Sequence, residues 1–224
     1  MSQKVQNEVA TEVALTATEK FFEKYGKAIV ITLVVLLVVA VSGFSIKHYV
    51  LDKNEVAAQE LIVAAQGHLN GQNPDYKLAL EGDENGAGFL DVIEQYGSTD
   101  AGNIANHYAG VCYLHLGDLE NAAKYLKEYD SVRGSILAEI INAQNLGLQG
   151  DVAVELGNYE EAAELFGEAV EASHNDYTTP YYLYKQALAL QAAGKVAEAK
   201  ECCKAILKSF PNTLEAREAD KLLY

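Results

Sequence analysis

The alternation of apolar and polar positions divides the chain into two parts. Residues 28–46 (AIVITLVVLLVVAVSGFSI) form a run of nineteen residues without a charge. At about 1.5 Å per residue, this run matches the ~30 Å hydrocarbon core of a bilayer. After residue 54, apolar residues instead recur every three or four positions, which is the spacing of one helix face. The pattern therefore predicts a transmembrane helix followed by an all-α soluble part.

Lysines frame the uncharged run as they frame membrane anchors. Lys24 and Lys27 precede it and Lys47 follows it. The alternative is a cleaved signal peptide, for which residues 40–42 (AVS) would serve as the cleavage site. A signal peptide begins with a short basic region, whereas the 27 residues before this run carry four glutamates. The sequence therefore favours an uncleaved transmembrane helix over residues 28–46.

The distribution of lysines predicts the orientation of the span. Four lysines precede it, whereas Lys47 and Lys53 follow it before the chain turns acidic. Because Lys and Arg concentrate on the cytoplasmic side, we expect a cytoplasmic N-terminus. In a bacterium this gives a single-pass protein of the inner (plasma) membrane with a periplasmic soluble part. The margin is small, so the reversed topology with a cytosolic soluble part stays open.

Residues 1–27 form an amphipathic segment ahead of the span. Apolar residues recur there at steps of four, which is helical spacing, at Val5, Val9, Val13, Ala17 and Phe21. We interpret the segment either as a short helix that runs into the span or as a helix that docks on a membrane partner.

Two stretches of the soluble part share one pattern of small residues. Residues 110–126 (GVCYLHLGDLENAAKYL) and 150–166 (GDVAVELGNYEEAAELF) each have a glycine, a second glycine seven positions later, and two adjacent alanines. The second glycine suits the left-handed residue that ends a helix, and the next residue, Asp118 or Asn158, suits the N-cap of a following helix. Each stretch therefore predicts a helical hairpin. Small residues are expected to face each other across its two helices, in the pairs Gly110–Ala122 and Gly150–Ala162.

This pattern resembles the tetratricopeptide repeat, a 34-residue helix–turn–helix unit with small residues at positions 8 and 20. Counted from its first position, the repeat covers residues 103–136, 143–176 and 180–213. The third copy has Ala187 and Ala199 at the two small positions. The resemblance implies an α-solenoid of stacked hairpins.

Flanking segments complete the predicted solenoid. Residues 47–102 form a degenerate first repeat, with helices over 54–70 and 89–96 and a loop-like insertion of glycine and polar residues between them. Residues 213–224 form a capping helix, because the terminal unit of a solenoid must present a polar outer face.

The arrangement as a whole is similar to a group of bacterial single-span proteins with a periplasmic tetratricopeptide domain. The type is the ancillary subunit of the Sec translocon, which is chaperone-like. The resemblance implies a protein or peptide partner at the cell envelope, near the protein translocon. An alternative is a structural assembly subunit, in which the membrane anchor carries the interaction and the solenoid is a spacer.

The repeat resemblance also implies a partner-binding groove. Positions 2, 5, 6, 9, 12 and 13 of the first helix of each repeat line the concave face in this family. The carboxylate clamp of heat-shock co-chaperones needs Lys and Asn at groove positions where this chain has His107 and Val111, so that activity is not implied. The candidate groove residues are His107, Tyr108, Val111, His115, Gln144, Asp151, Glu155, Tyr181, Tyr184, Lys185 and Gln191.

Charge and motif content narrow the function classes. The net charge is −15, and residues 48–224 carry 28 acidic residues against 12 basic ones. Such a surface repels phosphate backbones, so nucleic-acid binding is disfavoured and we predict no nucleic-acid partner. The chain has no nucleotide-binding loop, no nucleophile motif and no metal-type spacing of His or Cys. We therefore predict no enzymatic activity and no cofactor, and the pattern leaves the oligomeric state open.

One stretch partly fits a calcium loop. In residues 83–94 (DENGAGFLDVIE), Asp83, Asn85 and Glu94 match ligand positions of an EF-hand. Ala87 fails at a position that needs an oxygen ligand. The alternative is a glycine-rich turn that leads into the next helix.

Overall fold

A computed structural model describes the backbone of residues 3–223 and the side chains of Phe21, residues 24–45, Lys47 and residues 53–223. The chain divides into two compact units, residues 1–53 and 54–224. The predicted all-α class is confirmed, since the strands of the described part are limited to one short hairpin. The elements are α1 (Gln3–Gly67), α2 (Tyr76–Glu81), β1 (Gly82–Asp83), β2 (Gly86–Ala87), α3 (Phe89–Tyr96), α4 (Asp100–Leu116), α5 (Leu119–Lys127), α6 (Ile136–Glu155), α7 (Tyr159–Ala172), α8 (Thr178–Ala192), α9 (Val196–Ser209) and α10 (Leu214–Leu222).

The first unit contains the apolar part of α1. Lys24–Ser45 is long and apolar enough to cross a membrane, with a mean hydropathy of 2.7 and no burial of its side chains within the protein. A signal sequence near the N-terminus passes the same test of length and composition. The amphipathic face predicted from Val5 to Ala17 lies outside the described side chains.

The second unit begins with the last turns of α1, which pack against α2, α3 and α4. Ala58, Ile62 and Ala65 occupy one helix face and are buried in a cluster with Leu80 and Phe89. The predicted helices over 54–70 and 89–96 correspond to the end of α1 and to α3.

The insertion that we expected to be loop-like forms regular structure instead. Asp75 caps α2 by accepting a hydrogen bond from the N–H of Leu78 at 2.9 Å. Asp83 then holds the hairpin turn, because its Oδ1 accepts from the N–H groups of Asn85 and Gly86. The polar and glycine residues that read as a loop therefore start a short helix and close a tight turn.

Helices α4 to α9 form three hairpins, and the first helix of each is called its A helix (α4, α6, α8). Gly117, Gly157 and Gly194 end these helices at φ angles of 79°, 78° and 78°, in the left-handed region that favours glycine. Asp118 caps α5 as predicted, by accepting from the N–H of Asn121 at 3.1 Å. Asn158 makes no side-chain cap on α7, and its amide instead lies 3.4 Å from Glu161 Oε2.

The small residue at repeat position 8 makes room for a large side chain, not for the small one that we expected. A Cβ on Gly110 would lie 2.6 Å from Cγ of Leu126, and a Cβ on Gly150 would lie 2.7 Å from Cε1 of Phe166. Leu126 and Phe166 are both fully buried, and both stand at repeat position 24. Glycine at this position of the A helix therefore lets the second helix of the hairpin approach closely, although the second helix carries a bulky core residue at the contact.

Helix α10 closes the array by packing against α8 and α9. Its Ala216 and Ala219 are buried in one cluster with Ala187 and Cys203. This helix lies within residues 213–224, the segment for which the sequence predicts a capping helix.

Candidate functional site

The three A helices line a cleft of 1130 Å³ in the second unit. Its floor and walls come from α4, α6 and α8, and its rim comes from the loop before α8 and from the start of α10. A cleft of this size accommodates several residues of an extended peptide.

The cleft brings together eight of the eleven residues proposed from the sequence. Glu155 and Gln191 are exposed outside it. Tyr184 packs against the cluster beneath α10, because α10 packs against this face of α8. The eight residues in the lining are His107, Tyr108, Val111, His115, Gln144, Asp151, Tyr181 and Lys185.

The structure adds lining residues that repeat positions did not identify. They come from three places: the loop before α8, the start of α10, and faces of α6 and α8 that point between helices. No spacing rule within an A helix identifies a loop that reaches over the groove from a different element. The additional residues are Ile140, Asn175, Asp176, Tyr177, Thr178, Tyr182, Thr213, Leu214 and Glu215. The lining also includes Gly147 and Leu148, which stand at groove positions 5 and 6 of the second repeat.

His107 lies at the cleft floor, where a chain of hydrogen bonds determines which of its ring nitrogens carries the hydrogen. The Nε2 of Gln149 donates to the carbonyl of Leu126 at 3.4 Å and to Oδ1 of Asn145 at 2.8 Å. Asn145 must therefore present its Nδ2 to Nδ1 of His107, 3.2 Å away. Nδ1 accepts, so Nε2 carries the hydrogen and is a donor.

Burial keeps this imidazole uncharged. His107 is 4% exposed, and burial lowers its pKa to about 4. At neutral pH the side chain is therefore a neutral donor, not a cation.

Lys185 is the basic residue of the lining, and its charge is satisfied within the protein. Its Nζ lies 2.6 and 2.7 Å from the two carboxylate oxygens of Asp151. The same Nζ lies 5.0 Å from the ring centre of Tyr181 and 5.4 Å from that of Phe166. Burial opposes the charged form, but hydrogen bonds to Asp151 and Tyr181 outweigh it and raise the pKa of Lys185.

Neighbouring A helices meet through the same two repeat positions. At the α4–α6 junction, His107 at position 5 contacts Asn145 at position 3. At the α6–α8 junction, position 5 is Gly147 and position 3 is Tyr182, and a Cβ on the glycine would overlap the tyrosine ring. Tyr182 therefore fills the volume that a side chain at position 147 would need.

The rim of the cleft carries exposed apolar side chains. Tyr177 is 89% exposed, Leu214 60% and Tyr181 42%. Asn175 orders the loop below Tyr177, because its Oδ1 accepts from the N–H of Tyr177 and from that of Thr178. The loop thus holds a large aromatic side chain in solvent with little freedom of its backbone.

Two aromatic contacts support the wall formed by α4. His115 stacks on Tyr76 of α2, with ring centres 4.1 Å apart and an interplanar angle of 10°. Tyr108 stacks on Phe89 of α3 at 5.3 Å. Helices α2 and α3 therefore support the aromatic side chains at this end of the cleft.

The residues of the partial calcium motif are placed as in a turn. Both oxygens of Asp83 are engaged by Asn85, and Oδ1 also accepts from Gly86. These hydrogen bonds lower the pKa of Asp83, the backbone bond from Asn85 contributing most. Glu94 lies on α3 and is exposed. Across the described side chains, no group of three or more His, Cys, Asp or Glu could hold a metal ion.

Comparison with known protein families identifies the hairpins. Tetratricopeptide repeat models match residues 105–134 and 148–212, which contain most of α4 to α9. A comparison with curated proteins finds no match. Residues 105–134 and 148–212 therefore contain tetratricopeptide repeats, which indicate a module of protein–protein interaction.

Proposed function

We propose that this protein is a membrane-anchored module that binds a protein or peptide segment in its A-helix cleft. The observation that carries the proposal is the open cleft of 1130 Å³ lined by the A helices of the repeat hairpins, with exposed Tyr177, Tyr181 and Leu214 at its rim. Tyrosine is enriched at protein interfaces because it combines a large apolar surface with a polar tip.

The proposal also includes a location. The apolar helix over residues 28–46 anchors the chain in the inner membrane, with the N-terminus in the cytoplasm and the repeats in the periplasm. The excess of lysines before the span supports this topology. Tethering keeps the cleft near proteins that cross or enter the membrane, where its effective concentration is high. A chaperone-like role near the translocon follows from that position and from the resemblance noted above.

Photo-cross-linking in native membranes tests the cleft as the binding surface. A photo-reactive amino acid at Tyr181 or Tyr177 is expected to give a discrete set of protein adducts. The matched control is Tyr159, an exposed tyrosine at the start of α7 that does not line the cleft. Equal adduct patterns at Tyr181 and Tyr159 would argue against binding in the cleft.

A deletion separates this proposal from the structural-assembly alternative. Removing residues 54–224 while keeping the anchor is expected to abolish partner recovery if the repeats bind the partner. Retention of the same partners by the anchor alone would favour the alternative, in which the repeats are a spacer. C-terminal reporter fusions, active either in the periplasm or in the cytoplasm, test the topology separately.

A further inference from the structure

Two buried side chains on the cleft floor offer polar atoms that the protein itself does not use. His107 and Tyr182 are 4% and 5% exposed. Neither the Nε2 of His107 nor the hydroxyl of Tyr182 has a hydrogen-bond partner within the described part of the chain. Within that part, every side-chain N or O atom shut off from solvent has a partner. These two atoms therefore reach the open space of the cleft.

Both atoms suit an uncharged acceptor better than an anion. The Nε2–H of His107 is a neutral donor, as the hydrogen-bonded chain through Asn145 requires. The hydroxyl of Tyr182 donates or accepts, and burial raises its pKa, so it stays protonated. Main-chain carbonyls of an extended peptide are acceptors of this kind, and they can replace water at these two atoms.

The charges around the floor disfavour an anionic ligand. Lys185 is neutralised by both oxygens of Asp151. Asp176 and Glu215 stand at the rim, and neither forms an ion pair or a side-chain hydrogen bond with another described residue. The lining thus has two carboxylates available to a ligand, on a domain that is already strongly acidic. A ligand with basic side chains is therefore attracted both by these two carboxylates and by the negative net charge of the domain.

The rim supplies apolar contact beside those carboxylates. Tyr177 neighbours Asp176 in sequence, and Leu214 neighbours Glu215. Tyr177, Tyr181 and Lys185 follow one another at steps of four, so they line one face of α8 and its preceding turn. Tyrosine rings attract cations through their faces, as Tyr181 already does with Lys185.

We propose that the cleft selects extended peptide segments that combine apolar side chains with Lys or Arg, and discriminates against acidic ones. His107 and Tyr182 bind main-chain carbonyls on the floor, and Asp176 and Glu215 receive the basic side chains at the rim. This inference rests on the proposed function, namely that the cleft binds peptides.

A set of matched peptides tests the selectivity. The full chain is reconstituted in nanodiscs of neutral phosphatidylcholine, so that the lipid does not attract basic peptides. Three labelled octapeptides share one frame of Phe, Leu, Ala and Tyr, with Lys, Gln or Glu at two fixed positions. By fluorescence anisotropy we expect the Lys peptide to bind tightest and the Glu peptide weakest. Their Kd values should differ by roughly tenfold at about 50 mM salt, and by less at high salt.

Two pairs of substitutions show where the selectivity arises. Asp176→Asn with Glu215→Gln should reduce the Lys-to-Glu ratio to roughly twofold. Glu168→Gln with Glu171→Gln on the exposed face of α7 changes the net charge equally outside the cleft, and should leave the ratio unchanged. Tyr182→Phe keeps the ring over Gly147 and should weaken all three peptides alike, by roughly three- to tenfold.

The outcomes separate this inference from the proposed function. Suppose that all three peptides bind equally and Tyr182→Phe weakens them all. The cleft then binds peptides without charge selectivity, and the inference is overturned while the proposed function stands. Tightest binding of the Glu peptide, or an equal loss of selectivity in the α7 control pair, also overturns it. If none of the three peptides binds, the inference and the proposed peptide-binding cleft are both overturned.

Discussion

Gly150→Ala should destabilise the repeat array even though alanine is the better helix former. Gly150 lies within α6 and faces the ring of Phe166 on α7. A Cβ at this position would lie 2.7, 2.9 and 3.0 Å from three atoms of that ring. Ordinary carbon contacts are about 3.5–4.0 Å, so the ring or the helix has to move by close to 1 Å.

The ring has little room to move. Phe166 is buried in a cluster with Ala162 and Ala169, and Lys185 covers it from α8. Overpacking of this kind costs about 1–3 kcal/mol, whereas replacing glycine by alanine in a helix gains about 1 kcal/mol. The expected net loss is about 1 kcal/mol, which lowers the melting temperature of a domain of this size by about 2–4 °C.

The measurement is thermal unfolding of the full chain in detergent, followed by circular dichroism at the helical band. Gly67→Ala is the matched control, because Gly67 ends α1 and a Cβ there meets no atom within 4 Å. The control should melt at the wild-type temperature or slightly above it.

A second substitution tests the cause of the loss. Phe166→Leu removes ring atoms from the site, so it should cost less in the presence of Gly150→Ala than alone, with a coupling of about 1 kcal/mol. The reasoning fails if Gly150→Ala melts as high as Gly67→Ala, or if the two substitutions at the α6–α7 contact are additive.

Three further outcomes follow from individual contacts. Glu55 accepts hydrogen bonds from the first N–H groups of α4 at 2.7 and 3.1 Å. Glu55→Ala should therefore lower the free energy of unfolding by about 1 kcal/mol and speed amide hydrogen exchange at the start of α4. Glu60→Ala, on an exposed face of α1, should change neither quantity. The pKa of His107 is about 4 in the folded state and about 6.5 in the unfolded state, so the unfolded state binds the proton first as the pH falls. Urea unfolding should therefore show the free energy of unfolding decrease by up to about 3 kcal/mol as the pH is lowered from 6.5 to 4, and His107→Gln should remove this pH dependence. Tyr129→Phe deletes a 2.8 Å hydrogen bond to Asn142 and should lower the free energy of unfolding by about 1 kcal/mol.

The sequence predicted the repeated hairpins because local spacing determines them. The αL glycines such as Gly117, and the cap at Asp118, act within a few residues, so their pattern is readable without tertiary information. The side chain that packs against Gly150 could not be predicted from local spacing. Two residues on α7, Ala162 and Phe166, are one turn apart, and only the packing angle decides which of them faces the glycine.

In the candidate site, too, the sequence predicted residues placed by local spacing and missed residues placed by tertiary packing. Residues such as His107 and Asp151 lie on A helices, where repeat positions determine the face, and they line the cleft. Tyr177 and Leu214 reach the cleft from the loop before α8 and from α10, whose placement depends on contacts between distant segments. Tyr184 has a groove position by spacing but packs under α10, because the array ends there.

The paired positions at the A-helix junctions have a consequence for how this surface diversifies. One junction uses a hydrogen bond between two polar residues, His107 and Asn145, and the next uses a glycine under a tyrosine, Gly147 and Tyr182. Each unit of a solenoid contacts only its neighbours, so an exchange of volume within one pair leaves the other pair undisturbed. The depth and polarity of the floor can therefore change junction by junction through compensating double substitutions, while the scaffold keeps its shape.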